Sequence, residues 1–180
     1  MTTEASKITI HLVASLDGFI ESTDGGVSWL ETSDTYEHGV VEENAEEFLL
    51  TIDCYVMGSR TYELALKLGW PYGDTPVIVL THRDMSADRA SVEFFSGDLG
   101  GLVGDRLKPR YRNVWVVGGA AVARDFIRSN LADEIRLTIA PVILGGGRSF
   151  FDDIGQTQEL HLADLTAYRN GFVELRYELR

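Results

Sequence analysis

The chain has 180 residues, 44% of them apolar and 24% charged, a balance suited to one soluble domain with a single sizeable core. Its 16 Lys and Arg against 28 Asp and Glu give a net charge of -12, and no basic run interrupts it, which argues against nucleic acid or anionic membrane as a partner. A single cysteine, Cys54, excludes an internal disulfide and a thiolate-rich zinc site.

The polar start "MTTEASK" leads directly into a predicted first strand, Lys7–Ala14. No signal-peptide pattern and no apolar run long enough for a bilayer is present, so a cytoplasmic location is expected. Gly18–Gly39 reads as a long loop, and loops of that length are often functional. Next, Val41, Ala45, Phe48, Leu49 and Ile52 share one helical face, with Glu42, Glu43, Glu46 and Glu47 largely off it. Asp53–Gly58 is a buried strand in which Cys54 is a small core residue, and a second helix starts near Ser59. Pro76–Thr81 and Ser91–Ser96 read as strands, and a glycine-interrupted helix covers about Leu99–Leu107. Strand Asn113–Gly118 hands over at once to a helix running from Gly119 to about Ser129, which buries Val122, Phe126 and Ile127. Strand Glu134–Ala140 follows, and Leu160–Tyr168 and Phe172–Leu179 form an antiparallel pair joined by "RNG". Strands alternating with helices imply parallel crossovers. One α/β domain over residues 1–180 is therefore expected, its sheet mostly parallel with an antiparallel C-terminal edge.

Ligands of open α/β sheets sit beyond the C-terminal ends of the strands. Past the first strand lies "ASLDGFI"; past the second, "GSRTYE"; past the third, "THR". Past "VWVV" lies "GGAAVA", and past "EIRLTIA" lies "PVILGGGRSFF". Gly118 and Gly119 serve either close helix packing or the approach of a pyrophosphate to the free N–H groups and positive dipole end of the following helix. The run is not GxGxxG, so the Rossmann fingerprint does not apply. Ser59, Arg60 and Thr61 read either as a capped helix start or as a phosphate grip. Arg60 and Arg83 are scarce cations at one sheet edge and together suit a ribose 2′-phosphate, hence NADP; no acidic residue stands out there for a free 2′-hydroxyl. Asp17 shapes a turn or faces substrate, and Gly145–Gly147 are a flexible corner or aim Arg148 at an anion. Trp29 is a core anchor or a stacking platform for a flat ring. His11, His38, His82 and His161 are scattered without metal-ligand spacing, so no metal is expected.

The motifs "ASLDGFI", "DGGVSWL", "VMGSRTYE", "VVGGAAVARDFI" and "ADEIRLTIAPVILGGGRSFF", in this order, resemble the dihydrofolate-reductase-like fold. They are closest to the reductase domain of the bifunctional riboflavin-biosynthesis deaminase/reductase (RibD C-terminal domain) and its stand-alone relatives. The resemblance covers nearly the whole chain. It implies an eight-stranded sheet flanked by about four helices, NADPH as cofactor and a homodimer. It implies that Ser59, Arg60, Thr61, Thr81 and Arg83, after Gly58, surround the 2′-phosphate and adenosine. Gly118, Gly119, Ala120, Ala121 and Val122 would line the pyrophosphate, with Ala14 and Ser15 at the nicotinamide. Asp17, Trp29 and Gly145, Gly146, Gly147 and Arg148 would face the substrate. The expected activity is NADPH-dependent reduction of a small heterocyclic or sugar-imine substrate, of the 5-amino-6-(5-phosphoribosylamino)uracil reductase type. Asp17 is the candidate proton donor, with bound water as its rival. Two alternatives stand beside this: a non-catalytic NADP-binding sensor or scaffold, and a dihydrofolate-reductase-like enzyme acting on a pteridine. The zinc deaminase signature H-x-E…P-C-x-x-C does not occur in the chain, so a riboflavin role draws that step from another protein. Glu42 or Glu43 lies near the place of the dihydrofolate reductase carboxylate, but four acids crowded on one helix read as a solvated face.

Overall fold

Alternation along β1 (Lys7–Ser15) sorts the molecule into two layers. Ile8, Ile10, Leu12 and Ala14 are buried on one face of the sheet, and Lys7, Thr9, His11 and Val13 occupy the other. The structure is a computed structural model that describes residues 5–39, 41 and 45–180. The remaining main strands are β3 (Cys54–Gly58), β4 (Val77–Leu80), β5 (Val92–Phe95), β6 (Asn113–Gly118), β7 (Glu134–Ala140), β9 (Leu160–Ala167) and β10 (Val173–Leu179). They form one eight-stranded sheet in the order β5-β4-β3-β6-β1-β7-β10-β9. Every pairing from β5 to β7 is parallel, and β10 runs antiparallel to both β7 and β9. The expected sheet and its antiparallel C-terminal edge are therefore present.

The first layer packs Ile8, Ile10, Val56 and Val116 against Leu102, Leu107, Phe126 and Ile127. These come from α3, which begins at Leu99–Gly101 and continues as a π-helical turn through Leu102–Leu107, and from α4 (Ala120–Arg128). Gly100, Gly101 and Gly104 explain why the sequence signal for α3 is weak, since glycine costs about 1 kcal/mol relative to Ala in a helix. The second layer packs Tyr55, Met57, Val77 and Val79 against Tyr62 and Ala65 of α2 (Ser59–Lys67), with Trp70 beside them.

Two sequence expectations are corrected. Among the described residues of the helix expected over Val41–Ile52, α1 covers Ala45–Leu49 and does not extend to Ile52. Val41 bridges Tyr168 in parallel instead and is 41% exposed, because the chain there still crosses to the β9–β10 turn, where Arg169 N–H donates to the Val41 carbonyl at 3.0 Å. Glu42 and Glu43 lie outside the described residues. The long loop after β1 also holds more structure than expected. Its β2 (Phe19–Glu21) pairs antiparallel with β8 (Arg148–Ser149), and a 3-10 turn spans Ser28–Leu30. No helix among the described residues is long and apolar enough to cross a membrane.

Candidate active site

Strands β3 and β6 are parallel neighbours with Met57 opposite Gly118, so both stop at the same sheet edge. Each feeds a helix immediately, α2 after Gly58 and α4 after Gly119. Neither helix has a side-chain cap, because both N-cap residues are glycine, and the first-turn N–H groups stay open. Two positive helix ends therefore meet at one edge. Between them lies a groove of about 1020 Å³. Gly58, Ser59, Arg60 and Thr61 line it from α2, and Gly119, Ala121 and Val122 from α4. Two glycines leave little room for a side chain, and Gly118 also has a positive φ. A Cβ at Gly58 would stand 3.2 Å from Val122 Cγ2, and Gly118, at φ +106°, would place one 3.0 Å from Leu12 Cδ2. The Gly118–Gly119 peptide is cis.

Of the other expected residues, Arg148 lines this groove and the rest fall around it. Ala14 and Ser15 are buried; strand alternation turns Val13 toward the groove and Ala14 away from it. Ala120 is wholly buried under α4. Thr81 and Arg83 stand behind Leu80 and Glu63, which do line it. Arg83 Nη2 donates to Glu63 Oε1 at 2.7 Å, and Thr81 Oγ1 accepts from Arg83 N–H at 3.0 Å. Glu63 closes the motif "GSRTYE" and is an acid at this end that the sequence alone does not single out. Trp29 donates from Nε1 to the Gly26 carbonyl at 3.2 Å, while Val27 and Leu30 beside it reach the groove.

Asp17 acts as a staple. Its Oδ1 accepts from Ser15 Oγ at 2.7 Å and from Leu144 N–H at 3.0 Å, and its Oδ2 accepts from Gly145 N–H at 2.7 Å. The Ser15 hydroxyl and these backbone donors hold its carboxyl below the usual carboxylate range, so it stays ionised and is poorly suited to give a proton. What it does is fix the glycine-rich loop after β7. Gly146 then packs near Thr23, and Gly147 lies so close to β2 that a Cβ would meet Glu21 O at 2.0 Å. The loop delivers Arg148 to the groove wall.

Two residues to which the sequence assigns no role form part of the floor. His11 of β1 and Trp115 of β6 stack with ring centroids 4.9 Å apart, and Phe48 of α1 meets His11 edge-on at 5.3 Å. The His11 Nε2 lies 3.2 Å from Thr138 Oγ1. Burial, with a smaller contribution from the Arg136 charge, drives the His11 pKa down to about 3. The imidazole is thus neutral at physiological pH. Thr138 lines a second cavity of about 470 Å³, which shares Val13 and Leu30 with the groove. Scatter along the sequence hides His11, and strand register reveals it. Cys54 is the core residue expected, its thiol pushed up to about 12 by burial first and by the Asp53 and Glu93 charges next.

The His11 shift has a measurable consequence. Its folded pKa lies below the unfolded value of about 6.5, so its contribution to stability is complete above that pH and is lost as pH falls toward 3. The slope in between is at most about 1.4 kcal/mol per pH unit. Urea titrations at about pH 6 and pH 5 should show a shallower fall for His11→Phe than for the unmodified chain. Equal slopes would contradict a neutral buried imidazole.

A single sheet of this order, with uncapped helix ends at its C-terminal edge, is the architecture of dihydrofolate-reductase-like reductase domains. The chain belongs to the RibD C-terminal domain family, whose sequence pattern matches residues 6–173. It is similar to two Bacillus subtilis (strain 168) proteins described as uncharacterized. YwjB is 29% identical over 173 residues, covering 95% of this chain and 97% of YwjB. YyaP is 26% identical over 183 aligned positions, covering 95% and 94%. Solved structures share the fold. A Shewanella sp. PV-4 protein named for riboflavin biosynthesis superposes with TM-score 0.83 at 22% identity, covering 97% of this chain and 99% of that one. A pyrimidine reductase-like protein of Corynebacterium diphtheriae gives 0.65 at 17% identity, covering 97% and 92%. The deaminase/5-amino-6-(5-phosphoribosylamino)uracil reductase of Thermotoga maritima gives 0.68 at 14% identity, and there the match spans 98% of this chain but 57% of the larger protein.

Proposed function

We propose that this chain is an NADPH-dependent reductase that passes hydride to a small heterocyclic or sugar-imine substrate, of the 5-amino-6-(5-phosphoribosylamino)uracil reductase type. One observation carries the reading: the uncapped N-termini of α2 and α4 open onto the same groove, with Arg60 beside them. Bare N–H groups, two helix dipoles and glycines in place of side chains suit a pyrophosphate. When bound, the nicotinamide supplies the hydride. The chain's own residues do the rest. Gly58 and Gly119 let the phosphates approach backbone, and Arg60 meets the 2′-phosphate. Val13, Val117 and Leu30 form an apolar wall, all three lining the groove, that excludes water from the transfer. Asp17 holds the loop that carries Arg148. The protonation step falls to bound water, since Asp17 is fully engaged as an acceptor and the His11 imidazole is neutral.

Arg60→Ala tests the cofactor assignment. It should weaken NADPH binding by about 1–3 kcal/mol, the range for a charge-assisted contact, and leave NADH nearly unchanged. Equal losses for both would remove Arg60 from the phosphate site. Steady oxidation of NADPH with the phosphoribosylamino-pyrimidine is the matching activity assay, and no turnover with it would defeat the riboflavin-type substrate.

The proposal includes a homodimer in the cytoplasm. Edge strand β9 exposes Leu160, Leu162 and Leu165 by 41%, 49% and 59%. Register places them opposite Leu179, Tyr177 and Leu175 of β10, so they form one apolar strip at a sheet edge. Leu165→Glu should convert a dimer to a monomer in light scattering. A monomeric unmodified chain would contradict this partner.

A further inference from the structure

We propose that Glu63 sets the dinucleotide preference of the groove by holding the Arg83 guanidinium out of it, so that a dinucleotide with a bare 2′-hydroxyl competes better than the cations alone would allow. This rests on the reading of the groove as a dinucleotide site. It makes Glu63 a positioning residue that acts through Arg83.

Arg60, Glu63, Leu64 and Lys67 line the groove as one stripe along α2. Glu63 therefore stands between two cations of its own helix, and Arg83 reaches it from the segment after β4. Arg83 Nη2 donates to Glu63 Oε1 at 2.7 Å, while the Arg83 backbone N–H donates to Thr81 Oγ1. In this pose Glu63 is part of the groove wall and Arg83 is not. The hydrogen bond from Arg83 first, and then the charges of Arg83, Lys67 and Arg60, hold the Glu63 carboxyl below the usual carboxylate range. It is therefore ionised at neutral pH, a single carboxylate set among three cations. The groove's other acids, Glu21 and Asp24, come from β2 and the turn after it rather than from α2.

The pair is open to solvent on both sides, Arg83 at 58% and Glu63 at 39%, so it is weak and exchangeable. A 2′-phosphate brings about two negative charges and three acceptor oxygens, a better partner for a guanidinium than one carboxylate. To use Arg83, that phosphate has to take the guanidinium from Glu63 and then stand near a carboxylate of like charge. A dinucleotide without the phosphate faces neither obstacle. Glu63 thus reduces the advantage of the phosphorylated form and leaves the part common to both dinucleotides untouched. Arg60 is the cation that the 2′-phosphate meets directly, and Arg83 is a second one held back.

The test measures the Kd of NADPH and of NADH by fluorescence titration of the full chain, of Glu63→Gln, and of Glu63→Gln combined with Arg83→Ala. Glu63→Gln should raise the preference for NADPH over NADH by about 5-fold or more, through tighter NADPH, with NADH moving by less than about 2-fold. Adding Arg83→Ala should cancel the gain and return the preference to within about 2-fold of the unmodified chain, because the freed guanidinium is its source. A merely structural role for the pair would lower both affinities together and leave the preference where it was. Both side chains are exposed and Gln keeps the shape of Glu, so matching melting temperatures are expected. An unchanged or reduced preference in Glu63→Gln, or a gain that survives Arg83→Ala, would overturn the proposal. If both dinucleotides bind and the preference does not respond to Glu63, this inference fails alone. If neither binds the unmodified chain, the underlying reading fails, and this inference falls with it.

Discussion

Ala121→Glu should abolish NADPH binding while leaving the melting temperature unchanged or slightly raised. Ala121 stands in the first turn of α4 and lines the groove. A carboxylate in a first helical turn is favourable to the helix itself, by about 0.3–1 kcal/mol, because it faces the positive end of the dipole. The same charge would lie where the pyrophosphate has to approach, adding repulsion and filling space. A loss of 100-fold or more in affinity, about 3 kcal/mol, is expected. Fluorescence titration with NADPH and a thermal melt on the same sample separate the two effects. A variant that keeps its affinity would show that the α4 terminus does not carry the phosphates. A variant that melts much earlier would show that the open N–H groups are being satisfied in some other way.

Gly147→Ala should be the most damaging single methyl in the loop after β7. Gly147 has φ +141°, and an added Cβ would stand 2.0 Å from Glu21 O, a backbone atom that cannot turn aside. The β2–β8 pair has to separate, and with it the placement of Arg148 next to Gly147. A destabilisation of about 2–3 kcal/mol is expected from the clash and the backbone conformation together. Gly145→Ala is the comparison. Gly145 also has a positive φ, +73°, but a Cβ there would have no atom within 4 Å, so only the conformational cost of about 1–2 kcal/mol should appear. Urea denaturation of the two variants ranks them. Equal losses would mean that the close approach to Glu21 contributes nothing.

The sheet is legible in the sequence because its strands are short apolar runs between strong turn signals, as with "DCYVMG" and "NVWVVGG". Parallel order follows from the intervening helices. The helix ends that face the groove are legible for the same reason, since glycine at both N-caps is visible as letters. What is not legible depends on faces and register. Ala14 and Val13 are neighbours in sequence, yet only alternation fixed by burial of Ile8, Ile10 and Leu12 shows that Val13 faces the groove. His11 looks isolated until strand pairing sets it against Thr138 and Trp115. Asp17 looks like a reactive carboxylate because sequence does not reveal that Leu144 and Gly145, 127 and 128 positions away, donate to it. Glu63 escapes notice because its partner Arg83 lies past another strand's end, 20 residues on. Long-range partners decide the role of a charged residue, and they are the part of the fold that local patterns carry least.

A crystal structure of the chain grown with NADP+ tests the dinucleotide site most directly. The pyrophosphate should lie between the first turns of α2 and α4, within hydrogen-bond distance of their backbone N–H groups, with the 2′-phosphate at Arg60. A dinucleotide bound elsewhere on the molecule, or a groove that remains empty at saturating NADP+, would contradict it.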